Sequence, residues 1–318
     1  MEDWGSMQTR FAIPLGLALI LLLTSTLSTS SALIKNFDTS WDNEISVEGG
    51  QTLLVEELST TWCVSCAEID PYLEQVADSH GSRISIVTYH PSDGEDAFSP
   101  VASNLRIQRL KITHPELGST PSFVVDSGAL RVGPDSWPDV QRDIMREETE
   151  NQQYTKLGFN ISNNGENYYA KINKFQPAEI KSGTQISFLL LKHELKVPDG
   201  YVNPGEEYRD RVVTGYASCE LENNNITNQV GFESIEASQC DNDFAVTFNS
   251  SGKFSLILIH EETNQEILLE NQSSGSLGVV EFAYRDKTSY DENQILPLAF
   301  ISILTIGFIW AIYSRIMS

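Results

Sequence analysis

The sequence predicts an α/β domain followed by an all-β sandwich domain, with an apolar helix at each end of the chain. Three observations predict this. A strand-like run, Thr52-Leu53-Leu54-Val55, leads through Thr60-Thr61-Trp62-Cys63-Val64-Ser65-Cys66 into Ile69, Leu73, Val76 and Ala77, which recur at helical spacing. From Tyr154 onward, short apolar or alternating runs are separated by turn signals at close intervals. Phe11 to Leu23 and Ile295 to Tyr313 are apolar and uncharged.

In chain order, residues 1–32 read as a signal peptide or signal anchor. Arg10 precedes the apolar run, and Ser30-Ser31-Ala32 offers a cleavage region. Residues 33–50 form a polar lead-in, with Trp41 expected to pack in a core. The α/β domain spans 44–153. Its first strand, about 52–58, feeds the helix that starts at the two cysteines, which His80-Gly81 closes because glycine terminates helices. Ile84 to Tyr89 reads as a buried second strand. After His90-Pro91-Ser92-Asp93-Gly94, the segment to Leu117 reads as an enlarged, mostly helical connection. Ser122-Phe123-Val124-Val125 and Ala129 to Val132 form a hairpin through Asp126-Ser127-Gly128. Ser136-Trp137-Pro138-Asp139 opens a helix with Ser as N-cap and Val140, Ile144 and Met145 as its buried face. That helix fades into an acidic linker, 147–153.

The sandwich is expected over 154–275, with a disulfide between Cys219 and Cys240 closing a loop of about 20 residues, worth on the order of 3 kcal/mol. Residues 276–294 read as a tether, and 295–313 as a membrane helix, since about 19 uncharged residues approach the length needed to span a bilayer. The chain has 318 residues, 40% of them hydrophobic, enough for two cores. Its net charge of −23 makes nucleic acid and anionic membrane surfaces poor partners.

The chemistry concentrates at Cys63 and Cys66. A helix start has unpaired N–H groups and the positive end of the dipole, both of which favour thiolate over thiol. A second cysteine one turn on can attack a mixed disulfide and release the substrate. A zinc site needs two more ligands, and Cys219 and Cys240 lack the spacing to supply them.

The segment resembles the thioredoxin superfamily over roughly residues 44–150. Trp62 precedes the first cysteine, and Pro71 stands eight residues after it, where that family kinks its active-site helix. Glu57 stands six residues before it, at the family's buried carboxylate. Thr120-Pro121 matches the family's cis-proline facing the disulfide. The resemblance implies a thiol–disulfide oxidoreductase with Cys63 as nucleophile, Cys66 as resolving thiol, Glu57 as acceptor of the Cys66 proton, Trp62 flanking the site, and the Thr120 backbone pairing with an extended substrate. Glu56 is expected on the opposite face of the strand, solvated. The dipeptide Val64-Ser65 departs from the family's common Gly-Pro and Pro-His, which leaves the direction of electron flow open. The second domain is expected to be an immunoglobulin-like sandwich, and such a pairing resembles a class of secreted or surface-attached microbial proteins.

Arg10 and Arg315, placed inside by the positive-inside tendency, put the folded body at the cell membrane on the extracytoplasmic side. Disulfides persist there, and four N-glycosylation patterns, at Asn160, Asn225, Asn249 and Asn271, agree with an external surface. Protein thiols and disulfides are the expected substrates, with a membrane redox partner to exchange electrons. No cofactor or metal is expected. Two rival readings stand beside this one: a non-enzymatic adhesion or scaffold protein, and a copper-handling protein in which Cys63 and Cys66 join His90 or His114 as soft-metal ligands.

Overall fold

The computed structural model describes residues 33–286, apart from 38, 40, 42, 151, 152, 272 and 274. The two terminal apolar segments lie outside the described residues. Among the described residues no helix is long and apolar enough to cross a membrane.

The strands in chain order are β1 (Leu33–Lys35), β2 (Ile45–Gly49), β3 (Leu53–Leu58), β4 (Ile84–Tyr89), β5 (Ser122–Val125), β6 (Arg131–Val132), β7 (Lys156–Asn164), β8 (Asn167–Gln176) and β9 (Thr184–Lys192). Then follow β10 (Leu195–Lys196), β11 (Tyr208–Arg209), β12 (Val212–Glu220), β13 (Asn225–Val230), β14 (Ser234–Glu236), β15 (Ala245–Asn249), β16 (Phe254–Glu262) and β17 (Ser276–Tyr284). The helices are α1 (Val64–His80), α2 (Val101–Thr113), α3 (Trp137–Glu150) and α4 (Asn264–Glu270).

β3 and β4 are parallel, as a βαβ crossover through α1 requires. β5 adds antiparallel to β3, and β6 to β5. The resulting order β4-β3-β5-β6 carries α1 and α3 against one face, where Leu53, Val55, Ile69, Leu73, Ile86, Phe123, Val140 and Ile144 form a core. On the other face Leu54, Leu58, Val87, Ile107 and Leu110 pack with α2. A strand covered on both faces reads as a continuous apolar run, and β3, β4 and β5 are buried at every position.

This sheet does not end at the α/β unit. β4 pairs in parallel with β12 through Thr88 and Val212, so one mixed ten-stranded sheet runs β1-β17-β16-β9-β12-β4-β3-β5-β6, with β13 on the far part of β12. A separate antiparallel sheet, β14-β15-β8-β7-β2, faces its distal part. Phe159, Phe188, Phe244, Phe248, Phe254 and Phe282 fill the core between them. β8 alternates buried and exposed residues over most of its length, as a strand with one solvated face should. Trp41 packs edge-on against Phe282 and Tyr284 in this core, as expected.

Several elements differ from expectation. Residues 276–284, read as tether, form β17, whose Val279, Val280 and Phe282 are fully buried between β16 and β1. β2 pairs with β7, so the lead-in strand belongs to the antiparallel sheet. The connection after β4 is an extended loop to Pro100 and only then a helix, because Ser92-Asp93-Gly94 turns the chain and Pro100 caps α2. The acidic run 147–150 is the last turn of α3, and Ser136 donates its hydroxyl to the Gly133 carbonyl instead of capping that helix. Glu56 does face away from Glu57 but is not solvated. It is 4% exposed and pairs with Arg106 at 2.9 Å and the Tyr89 hydroxyl at 2.7 Å, because α2 covers that face. Of the glycosylation patterns, Asn225 and Asn249 are exposed, whereas Asn160 is half-buried and hydrogen-bonded to Glu44 and Asn173.

Candidate functional site

Cys63 is the N-cap of α1, and no acidic residue occupies the helix's first turn. Its Sγ accepts the backbone N–H of Cys66 at 3.0 Å and lies 3.5 Å from the Ser65 hydroxyl. Cys63 and Cys66 are disulfide-bonded, so these contacts describe the oxidised pair. In the reduced pair the same N–H and hydroxyl are the donors available to a Cys63 thiolate.

A cleft of about 1080 Å³ opens at this point. Cys63 and Trp62 line it from the helix side, Thr120 and Ser119 from the opposite loop, and Asn104 and Lys111 from α2. Thr120-Pro121 is a cis peptide. Thus the structure brings Trp62, Cys63 and Thr120 to one opening. Cys66 is 1% exposed and Cys63 5%. Pro121 is buried.

The loop before Cys63 is held chiefly by Asp96 and Asp93, which sequence reading did not single out. Asp96 accepts the Thr61 N–H at 2.8 Å through the same oxygen that meets His90 Nδ1 at 2.8 Å. Its other oxygen accepts the Phe98 and Ser99 N–H groups. Thr61 Oγ1 in turn accepts the Ala97 N–H, and Trp62 Nε1 donates to Asp93 at 2.9 Å. Asp93-Gly94-Glu95-Asp96 carries the usual turn residues, and that was its only local signal.

Glu57 is 2% exposed. Its Oε2 accepts the Thr88 hydroxyl at 3.1 Å, and Oε1 has no hydrogen-bond partner. Burial, then the nearby Asp70 carboxylate, push its pKa well above the usual range, against Thr88 and Arg209. Glu57 faces a second cavity, of about 480 Å³, on the α1 side of the sheet, together with Ala67, the residue after Cys66.

The arrangement — strand, C-x-x-C at a helix start, a buried carboxylate, and a cis X-Pro opening the next strand — is the one the sequence resemblance implied. The fold is thioredoxin-like. No family model matches the sequence, and no curated protein matches it. Among solved structures the chain is similar to HBP35 of Porphyromonas gingivalis, at 13% identity with a TM-score of 0.53, over 76% of this chain and 79% of that one. It also aligns with a protein of Agrobacterium tumefaciens at 12% identity and a TM-score of 0.44, over 76% and 97% of the two chains. At such identity the first likeness is one of fold. The C-x-x-C motif within that fold is consistent with a thioredoxin-like oxidoreductase.

Cys219 and Cys240 form the second disulfide, fully buried in the sandwich core. His90 and His114 are both buried, and Nδ1 of His90 is engaged by Asp96. Among the described residues no group of three His, Cys, Asp or Glu side chains is arranged to hold a metal ion.

Proposed function

We propose that this protein is a thiol–disulfide oxidoreductase working through Cys63 and Cys66, held at the cell membrane with its folded body on the extracytoplasmic side. One observation carries the catalytic reading: Cys63 Sγ sits at the N-cap of α1 and on the same cleft as Thr120. In the reducing direction the Cys63 thiolate attacks a substrate disulfide and expels one substrate thiolate. Cys66 then gives its proton to the Glu57 carboxylate and attacks Cys63 Sγ. The Cys63–Cys66 bond forms, the mixed disulfide breaks, and the second substrate thiolate leaves. Two electrons pass from the pair to the substrate. The oxidising direction is the same sequence reversed, and a membrane redox partner resets the pair in either case. The Thr120 backbone offers an edge for an extended substrate segment, and Trp62 limits approach from the side.

Labelling decides the matter. After mild reduction, Cys63 should alkylate faster than Cys66, Cys63→Ser should abolish disulfide exchange with insulin, and Cys66→Ser should accumulate a mixed disulfide. No exchange by the wild-type chain would end this reading.

A second reading has support of its own. Cys63 is only 5% exposed, and a buried, permanently oxidised bond suits a scaffold or adhesion protein. Resistance of the pair to mild reductant would favour it.

A further inference from the structure

The second cavity is walled by both units of the chain. β3 contributes Glu57, α1 contributes Asp70 and Glu74, and β4 contributes Thr88 and His90. The facing wall comes from the β unit: Tyr208 and Arg209 of β11, then Asp210 and Arg211, with Glu194 and Glu206 from the adjoining loops. This wall presses directly on the active-site helix. A Cβ at Gly205 would lie 2.8 Å from the Ala67 Cβ and 2.8 Å from Arg209 Nη2, so only glycine admits the approach.

Arg209 is 6% exposed. Its Nη1 donates to the carbonyls of Glu206 at 2.6 Å and Tyr208 at 3.1 Å, and its Nη2 to Asn203 Oδ1 at 2.6 Å. Those bonds aim the remaining Nε, which has no hydrogen-bond partner, at Asp70 Oδ2 3.7 Å away. The other charges around the cavity have different attachments. Arg211 lies 3.7 Å from Asp78, and Asp210 meets His193 at 3.1 Å. Among the described residues, Arg209 is thus the guanidinium turned towards Asp70 and Glu57, while Arg211 acts on Glu74.

We propose that Arg209 is a positioning residue for the redox centre: carried under α1 by the β unit, its guanidinium sets the charge held by Glu57 and Asp70 and so ties the second unit to the proton step at Cys66. The inference rests on the thiol–disulfide reading above, in which Glu57 accepts the Cys66 proton. Two carboxyls sharing a buried cavity disfavour ionisation, and a nearby cation favours it. Burial raises Asp70 to about 6 even with Arg209 opposing. Burial and Asp70 raise the Glu57 pKa while Thr88 and Arg209 lower it, so loss of that cation leaves less of the carboxylate that takes the Cys66 proton.

The test is a titration of the oxidised full chain, following the protonated-carboxyl infrared band that disappears in Glu57→Gln. In Arg209→Gln the midpoint of that band should rise by about one pH unit, the low end of the shift an adjacent cation produces. Arg209→Lys should restore most of the wild-type midpoint. A wild-type midpoint in Arg209→Gln, or an equal shift in Arg209→Lys, would overturn the inference. The titration needs no exchange activity, so a negative result here is separable from a negative result in the insulin assay.

Discussion

The carboxylate of Asp96 accepts the backbone N–H of Thr61 at 2.8 Å, fixing the chain two residues before Cys63. The contact is buried, and burial opposes ionisation of Asp96, but the His90 contact and the backbone N–H groups hold its pKa below the usual carboxylate value. Asp96→Ala leaves the Thr61 N–H without its partner. A buried, unsatisfied donor costs roughly 1–3 kcal/mol. Urea unfolding should show a loss in that range, with a smaller loss for Asp96→Asn. Amide exchange at Thr61 should accelerate in the Ala variant, and unchanged exchange there would show that the loop is held by other means.

Arg106 joins the two units. Its Nη1 donates to both oxygens of Glu261 on β16, at 2.9 and 2.8 Å, and its Nη2 to Glu56 on β3 at 2.9 Å. Gln185 and Ser187 complete the shell around Glu261. Removing one partner of a buried ion pair leaves an uncompensated charge, at a cost of about 3–5 kcal/mol. Arg106→Met should therefore lower the unfolding free energy by that amount and remain a single transition, because the sheet is continuous through β4 and β12. Two separated transitions in wild type would mean that the units unfold independently.

Much of the α/β unit was legible because its signals are local. Cys63-Val64-Ser65-Cys66 and Pro71 mark α1 within ten residues, and Thr120-Pro121 adjoins its strand. The features that escaped are long-range. β4 meets β12 across more than a hundred residues through a single register pair. Arg106 and Glu261 are 155 apart, and nothing near either residue announces the other. β17 was hidden by the Ser/Gly-rich run before it, although Val279 to Tyr284 is apolar at every position but Glu281. Glu56 was misplaced by the alternation rule itself, which assumes one solvated face, whereas β3 has none. At the site, Arg209 could not be found because it reaches the redox centre only through the docking of the β unit.

Stability should depend on pH with opposite signs at two sets of carboxyls. Burial would raise Glu261, but Arg106 and Arg109 outweigh it and bring its pKa from 4.5 to about 2. Its contribution is present above about pH 4.5 and is lost as pH falls through 2. Burial, helped by the Asp210 carboxylate, raises Glu74 from 4.5 to about 7, and burial raises Asp126 from 3.8 to about 6. Their contributions are present below their unfolded values and are lost as pH rises through 6 and 7. The net charge of −23 adds repulsion in the same direction. The urea midpoint should thus be highest between about pH 4 and 5 and decline towards pH 7. Glu74→Gln should flatten that decline, and a midpoint that climbs from pH 5 to 7 would refute the assignment.

Ser65 occupies the dipeptide between the cysteines, where its hydroxyl lies 3.5 Å from Cys63 Sγ. It is the one hydroxyl that the departure from the commoner dipeptides supplies. A hydrogen bond to a charged group is worth about 1.5 kcal/mol at the low end, or about tenfold in the thiolate-to-thiol ratio. Ser65→Ala should then slow iodoacetamide labelling of reduced Cys63 by up to about tenfold at pH values below its ionisation midpoint. At high pH, where the sulfur is fully ionised in both proteins, the two rates should converge. Val64→Ala, which changes an exposed side chain and removes no donor, should follow the wild-type curve. A rate lowered equally at every pH would point to a change in access to the cleft, and an unchanged midpoint would leave the Cys66 N–H and the helix dipole as the whole source of Cys63 reactivity.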